Sequence, residues 1–249
     1  MSIIMNGTDV AKSMKEELAE RVTRLKNRGV NPCLAIVRVG ARPDDLSYER
    51  GATKRMELTG IGCKVYAFPE NISQEELELK FKEINVNPEI HGILLFRPLP
   101  KTLNEEPLKE MIDPVKDVDC MSLVNFGKIF CGDETGYAPC TTEAVMEMLD
   151  YNQIDLNGKN VTIVGRSMVV GKPLAILMLQ KHATVTVTHS HTTNLAGTCR
   201  NAEILVAAVG HARMITESMV REGAVVVDVG INVDEQGNLC GDVDFEEVK

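Results

Sequence analysis

The sequence predicts an α/β protein of two lobes, each alternating short buried strands with helices. Three observations carry this expectation. Cys33-Leu-Ala-Ile-Val-Arg-Val39, His91-Gly-Ile-Leu-Leu-Phe96 and Val161-Thr-Ile-Val164 are short apolar runs closed by glycine or proline turns, the pattern of strands buried on both faces. Helical periods lie between such runs, as the crossovers of a parallel sheet require. Between Lys116 and Cys140 the periodicity lapses into a segment rich in Asp, Gly and Cys, which reads as a functional loop or domain junction. The expected lobes are 1–140 and 141–249, with a cleft near residues 116–141.

Each element has its own signal. Val10, Met14, Leu18 and Val22 recur at steps of four, predicting a helix from Gly7 to about Gly29. The strand at 33–39 ends at Gly40, and Asp44 or Asp45 is the expected N-cap of a helix running to about Thr59. Gly62 to Phe68 reads as a strand. Ser73 and Glu76 form a capping-box pattern that starts a helix to Ile84. A strand over 91–96 is closed by Arg97-Pro-Leu-Pro100. Thr141 to about Tyr151 reads as a short helix. Beyond it come strand 161–164, helix 170–181 and strands 184–188, 204–208 and 224–228.

Composition narrows the function. The chain has 249 residues, 44% hydrophobic and 25% charged, the make-up of a soluble globular protein. No apolar run reaches the roughly 18 residues of a membrane helix. The N-terminus lacks the basic and apolar stretches of a secretory signal, so a cytoplasmic protein is expected. Seven cysteines show no Cys-x-x-Cys spacing, which favours reduced thiols over disulfides or zinc. A net charge of −9 without a basic cluster argues against nucleic acid, and the absence of Trp argues against base stacking.

The strongest functional signal is Val161-Thr-Ile-Val-Gly165-Arg166-Ser167-Met-Val-Val-Gly171-Lys172-Pro173. A β-branched run enters a turn with glycines six apart, and a helical pattern follows at once. Such a turn lets the backbone approach a pyrophosphate while the helix N-terminus offers free N–H groups. Glycines alone are equally read as turn chemistry. Three further strands strengthen the dinucleotide reading, because His189, Gly210 and Gly230 stand at or just beyond their carboxyl ends, where ligands bind in open parallel sheets. About 24 residues after Gly165, where an NAD site usually carries a carboxylate for the ribose, stand His189, Ser190 and His191. Arg166, Ser190 and one of the histidines can hold a 2′-phosphate there, which favours NADP with NAD possible; read more simply, Arg166 is a solvated loop arginine. The two histidines lack a third ligand at any metal spacing, so no metal is expected.

Taken together the motifs resemble the methylenetetrahydrofolate dehydrogenase/cyclohydrolase family over essentially the whole chain. The resemblance rests on Arg38-Val-Gly-Ala-Arg-Pro-Asp-Asp-Leu-Ser-Tyr48, Gly92-Ile-Leu-Leu-Phe-Arg-Pro-Leu-Pro100, Lys116-Asp-Val-Asp119, Pro139-Cys-Thr141, Val164 to Pro173, and Asp228-Val-Gly-Ile-Asn232 followed by Gly241-Asp-Val243. It implies an N-terminal folate-binding lobe, a C-terminal Rossmann-type NAD(P)-binding domain and a homodimer. It implies cofactor contacts from Gly165, Arg166, Ser167, Ser190 and Ile231, beside the strand-end Gly210. Tyr48 and Asp119 become the candidate catalytic residues, with tetrahydrofolate as substrate. The family also continues beyond the Gly-Asp-Val motif through a Pro-Gly-Gly-Val-Gly-Pro-Met-Thr loop that serves the folate site, whereas the sequence here runs to Lys249.

Two positions depart from the family pattern. Bifunctional members carry a Tyr-x-x-x-Lys pair, and the lysine position is Ala52. Positions four apart share a helix face, while Lys54 lies about 200° around the axis from Ala52 and is no simple substitute. The family glutamine before the Pro-Leu-Pro turn is Phe96, and strand alternation aims the next residue, Arg97, the other way. Hydride transfer to a nicotinamide needs mainly correct placement of the donor carbon. Opening the methenyl ring with water needs a general acid or base. The expected function is therefore oxidation of 5,10-methylenetetrahydrofolate with NADP, with cyclohydrolase activity weak or lost. The alternatives are a full bifunctional enzyme that recruits another group, such as Lys54 or Tyr48, and a non-catalytic folate- or nucleotide-binding homologue.

Overall fold

The structure, a computed structural model, describes residues 3–249. The chain forms two compact units. One comprises Asn6–Lys128 and Glu134–Tyr137; the other comprises Ile129–Asp133 and Ala138–Lys249 with the short stretch that ends at Met5.

In the first unit, α1 (Gly7–Asn27), β1 (Cys33–Val39), α2 (Pro43–Thr59), β2 (Gly62–Phe68), α3 (Gln74–Val86) and β3 (Gly92–Leu95) alternate, and the three strands pair in parallel in the order β2-β1-β3. The central strand explains its own sequence. Ala35, Ile36 and Val37 are fully buried, so β1 has no polar alternation. The edge strand β2 mixes half-buried and exposed positions and has no fully buried residue. Leu77, Phe81 and Ile84 form the buried stripe of α3, and the Ser73 side chain accepts a hydrogen bond from the Glu76 backbone N–H at 3.1 Å.

Three local expectations are corrected. Helix α2 starts at Pro43, earlier than either aspartate, because a proline's fixed φ suits the first helical position. Its N-cap is Arg42, with no side-chain cap bond, and Asp45 pairs back to that arginine at 2.8 and 2.9 Å. The third strand stops at Leu95, so Phe96 and Arg97 lie beyond it and strand alternation does not set their directions. After α4 (Glu106–Met111), the segment expected to be irregular contains a helix, α5 (Leu123–Cys131).

In the second unit, α6 (Cys140–Tyr151), β4 (Asn160–Val164), α7 (Gly171–Gln180), β5 (Thr184–Thr188), α8 (Leu195–Arg200), β6 (Ile204–Ala207) and β7 (Val225–Asp228) build a four-stranded parallel sheet in the order β5-β4-β6-β7. Ile163, Leu174, Met178 and Val206 lie at its fully buried centre. A small antiparallel hairpin, β8 (Asn232–Val233) with β9 (Leu239–Cys240), follows β7. Strands β5 and β6 flank β4 on opposite sides, so the chain reverses its direction of winding between β4 and β6. That reversal is the topological switch point at which open α/β sheets bind ligands. Among the described residues no helix is long and apolar enough to cross a membrane.

Candidate active site

The carboxyl edge of the second unit's sheet gathers four connections: 165–170, 189–194, 208–211 and 229–231. Because all four strands run in parallel, these connections share one edge. The first lies against the third at the switch point. Gly165 has φ +126°, and a Cβ there would stand 2.2 Å from the Ala208 carbonyl oxygen. Gly171 opens α7 so close to the turn that its Cβ would meet the Gly165 oxygen at 2.1 Å. Both glycines therefore answer to backbone packing, one across strands and one between turn and helix. Ser167 works within the same turn, its hydroxyl accepting from the N–H groups of Val170 at 3.0 Å and Gly171 at 3.5 Å.

Arg166 and Ser190 are exposed, and no ion pair to Arg166 occurs among the described residues. A free guanidinium and a free hydroxyl are the donors an anionic group on the ribose would use, so these side chains fit a dinucleotide carrying a 2′-phosphate. His189 and His191 stand in the turn after β5 and not on the strand. Their ring centroids are 6.0 Å apart. No group of three His, Cys, Asp or Glu side chains able to hold a metal occurs among the described residues.

The loops after β6 and β7 are fixed by two carboxylates that sequence reasoning did not single out. Asp242 is fully buried and accepts from the backbone N–H groups of Val209 at 2.6 Å, Gly210 at 3.0 Å and His211 at 2.8 Å, and from the Asn232 side chain at 2.9 Å. Asp228 at the end of β7 accepts from Gly230 at 2.9 Å, Asp242 at 3.0 Å and Val243 at 3.0 Å. Gly230 and Gly241 leave room for the two carboxylates, since a Cβ at Gly230 would lie 2.3 Å from Asp242 and one at Gly241 1.8 Å from Asp228. The Asp-Val-Gly-Ile-Asn and Gly-Asp-Val motifs are thus one hydrogen-bonded clasp, and their paired Gly and Asp were its only sequence signal. Gly210, at φ +66°, and Ile231, fully open to solvent on one side, lie on the loops this clasp holds.

The first unit places Tyr48 and Asp119 in separate local frames. Tyr48 lies in α2 beside Glu49, whose carboxylate takes the buried Arg38 guanidinium at 2.6 Å and ties the helix to β1. The Tyr48 ring packs on Phe96 with centroids 5.2 Å apart. Asp119 is half-buried and lies 3.5 Å from Arg97. Each residue of the Phe96–Arg97 pair therefore touches one candidate catalytic residue. Asp117 fixes this segment: fully buried, it accepts from Met121 N–H at 2.8 Å, Ser122 N–H at 2.9 Å and the Asn125 side chain at 2.9 Å. Gly92 lets the segment lie against β3, since a Cβ there would stand 2.6 Å from Val118. Burial, with Asp117 and Asp119 adding to it, pushes the Cys120 thiol up to about 12, so it remains a protonated thiol and no nucleophile. Ala52 is half-buried and Lys54 is exposed.

Fold and cradle define a dinucleotide-binding α/β protein with a second α/β unit. The tetrahydrofolate dehydrogenase/cyclohydrolase catalytic-domain model matches residues 5–119, and the corresponding NAD(P)-binding-domain model matches residues 139–249. A bifunctional FolD protein of Clostridioides difficile is 54% identical over 98% of this chain and 85% of its own length. The bifunctional FolD structure of Campylobacter jejuni superposes with a TM-score of 0.96 at 40% identity, over 99% of this chain and 87% of that one. That of Trypanosoma brucei, complexed with NADP and an inhibitor, gives 0.93 at 33% identity, over 99% and 87%. The chain belongs to the tetrahydrofolate dehydrogenase/cyclohydrolase family.

Proposed function

We propose that the protein oxidises 5,10-methylenetetrahydrofolate to 5,10-methenyltetrahydrofolate with NADP, and that it hydrolyses the methenyl product weakly or not at all. NADP is supported by the exposed Arg166 and Ser190 at the carboxyl edge and by the absence of a carboxylate after β5. NAD remains the second cofactor, since Ser190 can also bond a 2′-hydroxyl. Arg166 and Ser190 hold the ribose phosphate, the Gly165 turn receives the pyrophosphate, and the loops carrying Gly210 and Ile231 shape the rest of the cofactor site. Bound there, the nicotinamide supplies the hydride acceptor. Tyr48 and Asp119 orient the folate, the phenol and the carboxylate offering hydrogen bonds to the pterin. Hydride transfer demands placement and no obligatory proton transfer, and the folate nitrogen itself supports the developing cation.

The observation that carries the second half is the Phe96–Tyr48 ring contact beside Ala52. Where family members bring an amide and an amine, this chain brings an aromatic ring and a methyl group. Neither can take or give a proton, so water addition has lost its general acid or base. The test follows nicotinamide reduction and methenyl decay separately, with NADP and NAD in parallel. Reduction with accumulating methenyl product is expected, and rapid hydrolysis of added methenyl substrate by the pure protein would refute the loss. A second reading, the full bifunctional enzyme, is favoured by the bifunctional FolD relatives near 50% identity. It requires Tyr48, Lys54 or another group to manage the proton.

We also infer a homodimer, supported by the exposed Ile231, Val233 and Leu239 on and beside the β8–β9 hairpin. Sedimentation at about twice the 27.4 kDa chain mass is the expected result. We infer a cytoplasmic site of action, a reading supported by seven cysteines without Cys-x-x-Cys spacing.

A further inference from the structure

Central strand β1 is apolar from Cys33 to Val39 except at Arg38, and Arg38 is buried. A buried guanidinium is costly unless it is paired, and this one is held on two sides. Its Nε donates to the Glu49 carboxylate at 2.6 Å and its Nη1 to the Gly40 carbonyl. The side chains of Arg38 and Glu49 are only 10% and 19% exposed, so solvent screens the pair little. Gly40 in turn donates its N–H to Phe68 O at 2.9 Å, which fixes the guanidinium to β1 and β2 together.

Helix α2 has little else to set its rotation about its own axis. Leu46, Glu49, Ala52, Thr53 and Met56 are half-buried and mark the face it turns inward, but only Thr59, its last residue, is fully buried. A carboxylate thus stands in the middle of a face that is ordinarily apolar. Gly51, with open space around it, weakens the helix further at mid-length. Apolar contacts are non-directional, whereas a carboxylate bonded to a guanidinium that is itself held on two sides fixes a direction.

We propose that Arg38 and Glu49 are positioning residues for folate oxidation, their ion pair setting the rotation of α2 and with it the placement of Tyr48. This role rests on the folate assignment above and adds two residues to it. Tyr48 is the neighbour of Glu49, about 100° around the helix, so holding one side chain determines where the other points. Tyr48 is itself exposed, and burial does not place it. The Phe96 ring on which it packs is fixed to the same strand, since Phe96 N–H bonds Val37 O at 2.9 Å. Consecutive residues of β1 therefore carry both the anchor of the helix and the surface that Tyr48 meets. A side-chain tip lies about 6 Å from a helix axis, so a rotation of roughly 10° moves it by about 1 Å. A misplacement of about 1 Å can cost on the order of a hundredfold in rate.

Steady-state kinetics of the full chain with 5,10-methylenetetrahydrofolate and NADP test the role. Arg38→Met combined with Glu49→Leu replaces the ion pair by apolar side chains and strands no charge, so its thermal midpoint should stay within about 5 °C of wild type or rise. Its kcat/KM for the folate should fall about ten- to a hundredfold, while the KM for NADP changes less than about twofold. Arg38→Lys keeps the charge pair without the two-sided hold and should lie between. In a Tyr48→Phe background the double change should cost less than about threefold more, because residues that act through one group are not additive. A folded double variant with wild-type folate kinetics would overturn the role, and so would equal losses with and without Tyr48→Phe. Unchanged folate kinetics in Arg38→Lys would overturn it too, whether or not the double variant folds. Wild-type protein that reduces no NADP with this folate would instead overturn the folate assignment.

Discussion

Replacing Asp242 by alanine removes four hydrogen bonds from one buried carboxylate. A hydrogen bond to a charged group contributes about 1.5–3 kcal/mol, which would sum to roughly 6–12 kcal/mol if every donor were stranded. They are not all stranded. Gly210 and His211 are exposed, so their N–H groups can regain water, and the Asn232 amide can turn outward. Val209 is left, together with the void of the lost carboxylate, and the expected destabilisation is about 3–5 kcal/mol. Asparagine should behave differently. With its oxygen placed toward Val209 and Gly210, its new NH₂ can donate to a rotated Asn232 side chain. Only the His211 bond is then lost, at about 1 kcal/mol. Urea unfolding followed by far-UV circular dichroism separates the cases. With a slope of about 1–3 kcal/mol/M, alanine should shift the midpoint by roughly 1–5 M and asparagine by much less. An alanine variant within about 0.5 kcal/mol of wild type would refute the clasp as a source of stability. Equal losses for the two variants would show that the charge, and not the bond count, is what matters.

Other outcomes follow from the same geometry. Gly165→Ala places a methyl 2.2 Å from the Ala208 oxygen at φ +126°, and should destabilise by about 2–4 kcal/mol while abolishing cofactor binding in calorimetry. Retained binding would show that the turn tolerates the extra carbon. Asp117→Ala strands two backbone N–H groups and one N–H of the buried Asn125 amide, which keeps its bond to the Pro114 carbonyl at 3.0 Å, for a loss of about 3–5 kcal/mol by urea unfolding, and a change below about 1 kcal/mol would contradict it. With its thiol pushed up to about 12, Cys120 should resist a thiol-specific disulfide reagent near neutral pH, as should buried Cys199, pushed up to about 11, while exposed Cys131 and Cys140 react. Peptide mapping reads which sites are labelled, and modification of Cys120 in folded protein would count against its burial. Ala52→Lys with Phe96→Gln should raise methenyl hydrolysis at least about tenfold while methylene oxidation changes less. No gain would mean that the hydrolytic step was never limited by these two groups.

Much of the fold was legible because its central strands are unambiguous. Ile36, Val37, Ile163 and Val206 are buried on sheets covered from both sides, which leaves continuous β-branched runs. Helix α5 was illegible for an equally physical reason. Its buried positions include Asn125 and Ile129, while Leu123, Val124 and Phe130 are exposed, which inverts the pattern that periodicity seeks. The turn after β4 could be read because both its glycines are demanded by backbone contacts. The Phe96–Arg97 geometry could not, since alternation presumes a strand that ends one residue too soon. Asp117 and Asp242 bond mostly to backbone amides, and such partners leave no trace in side-chain patterns.

The Asp228–Asp242 clasp also sets an order of events during synthesis. Asp242 lies 32 residues beyond Gly210, whose loop it secures. At about 5–20 residues per second, a ribosome needs roughly 2–6 s to add that stretch. Strands β4 to β6 can pair during this interval, but the loop at the end of β6 lacks its anchor until the Gly-Asp-Val motif emerges. The nascent unit therefore acquires its sheet before its nucleotide edge, and competence to bind a cofactor arrives late in the making of the chain.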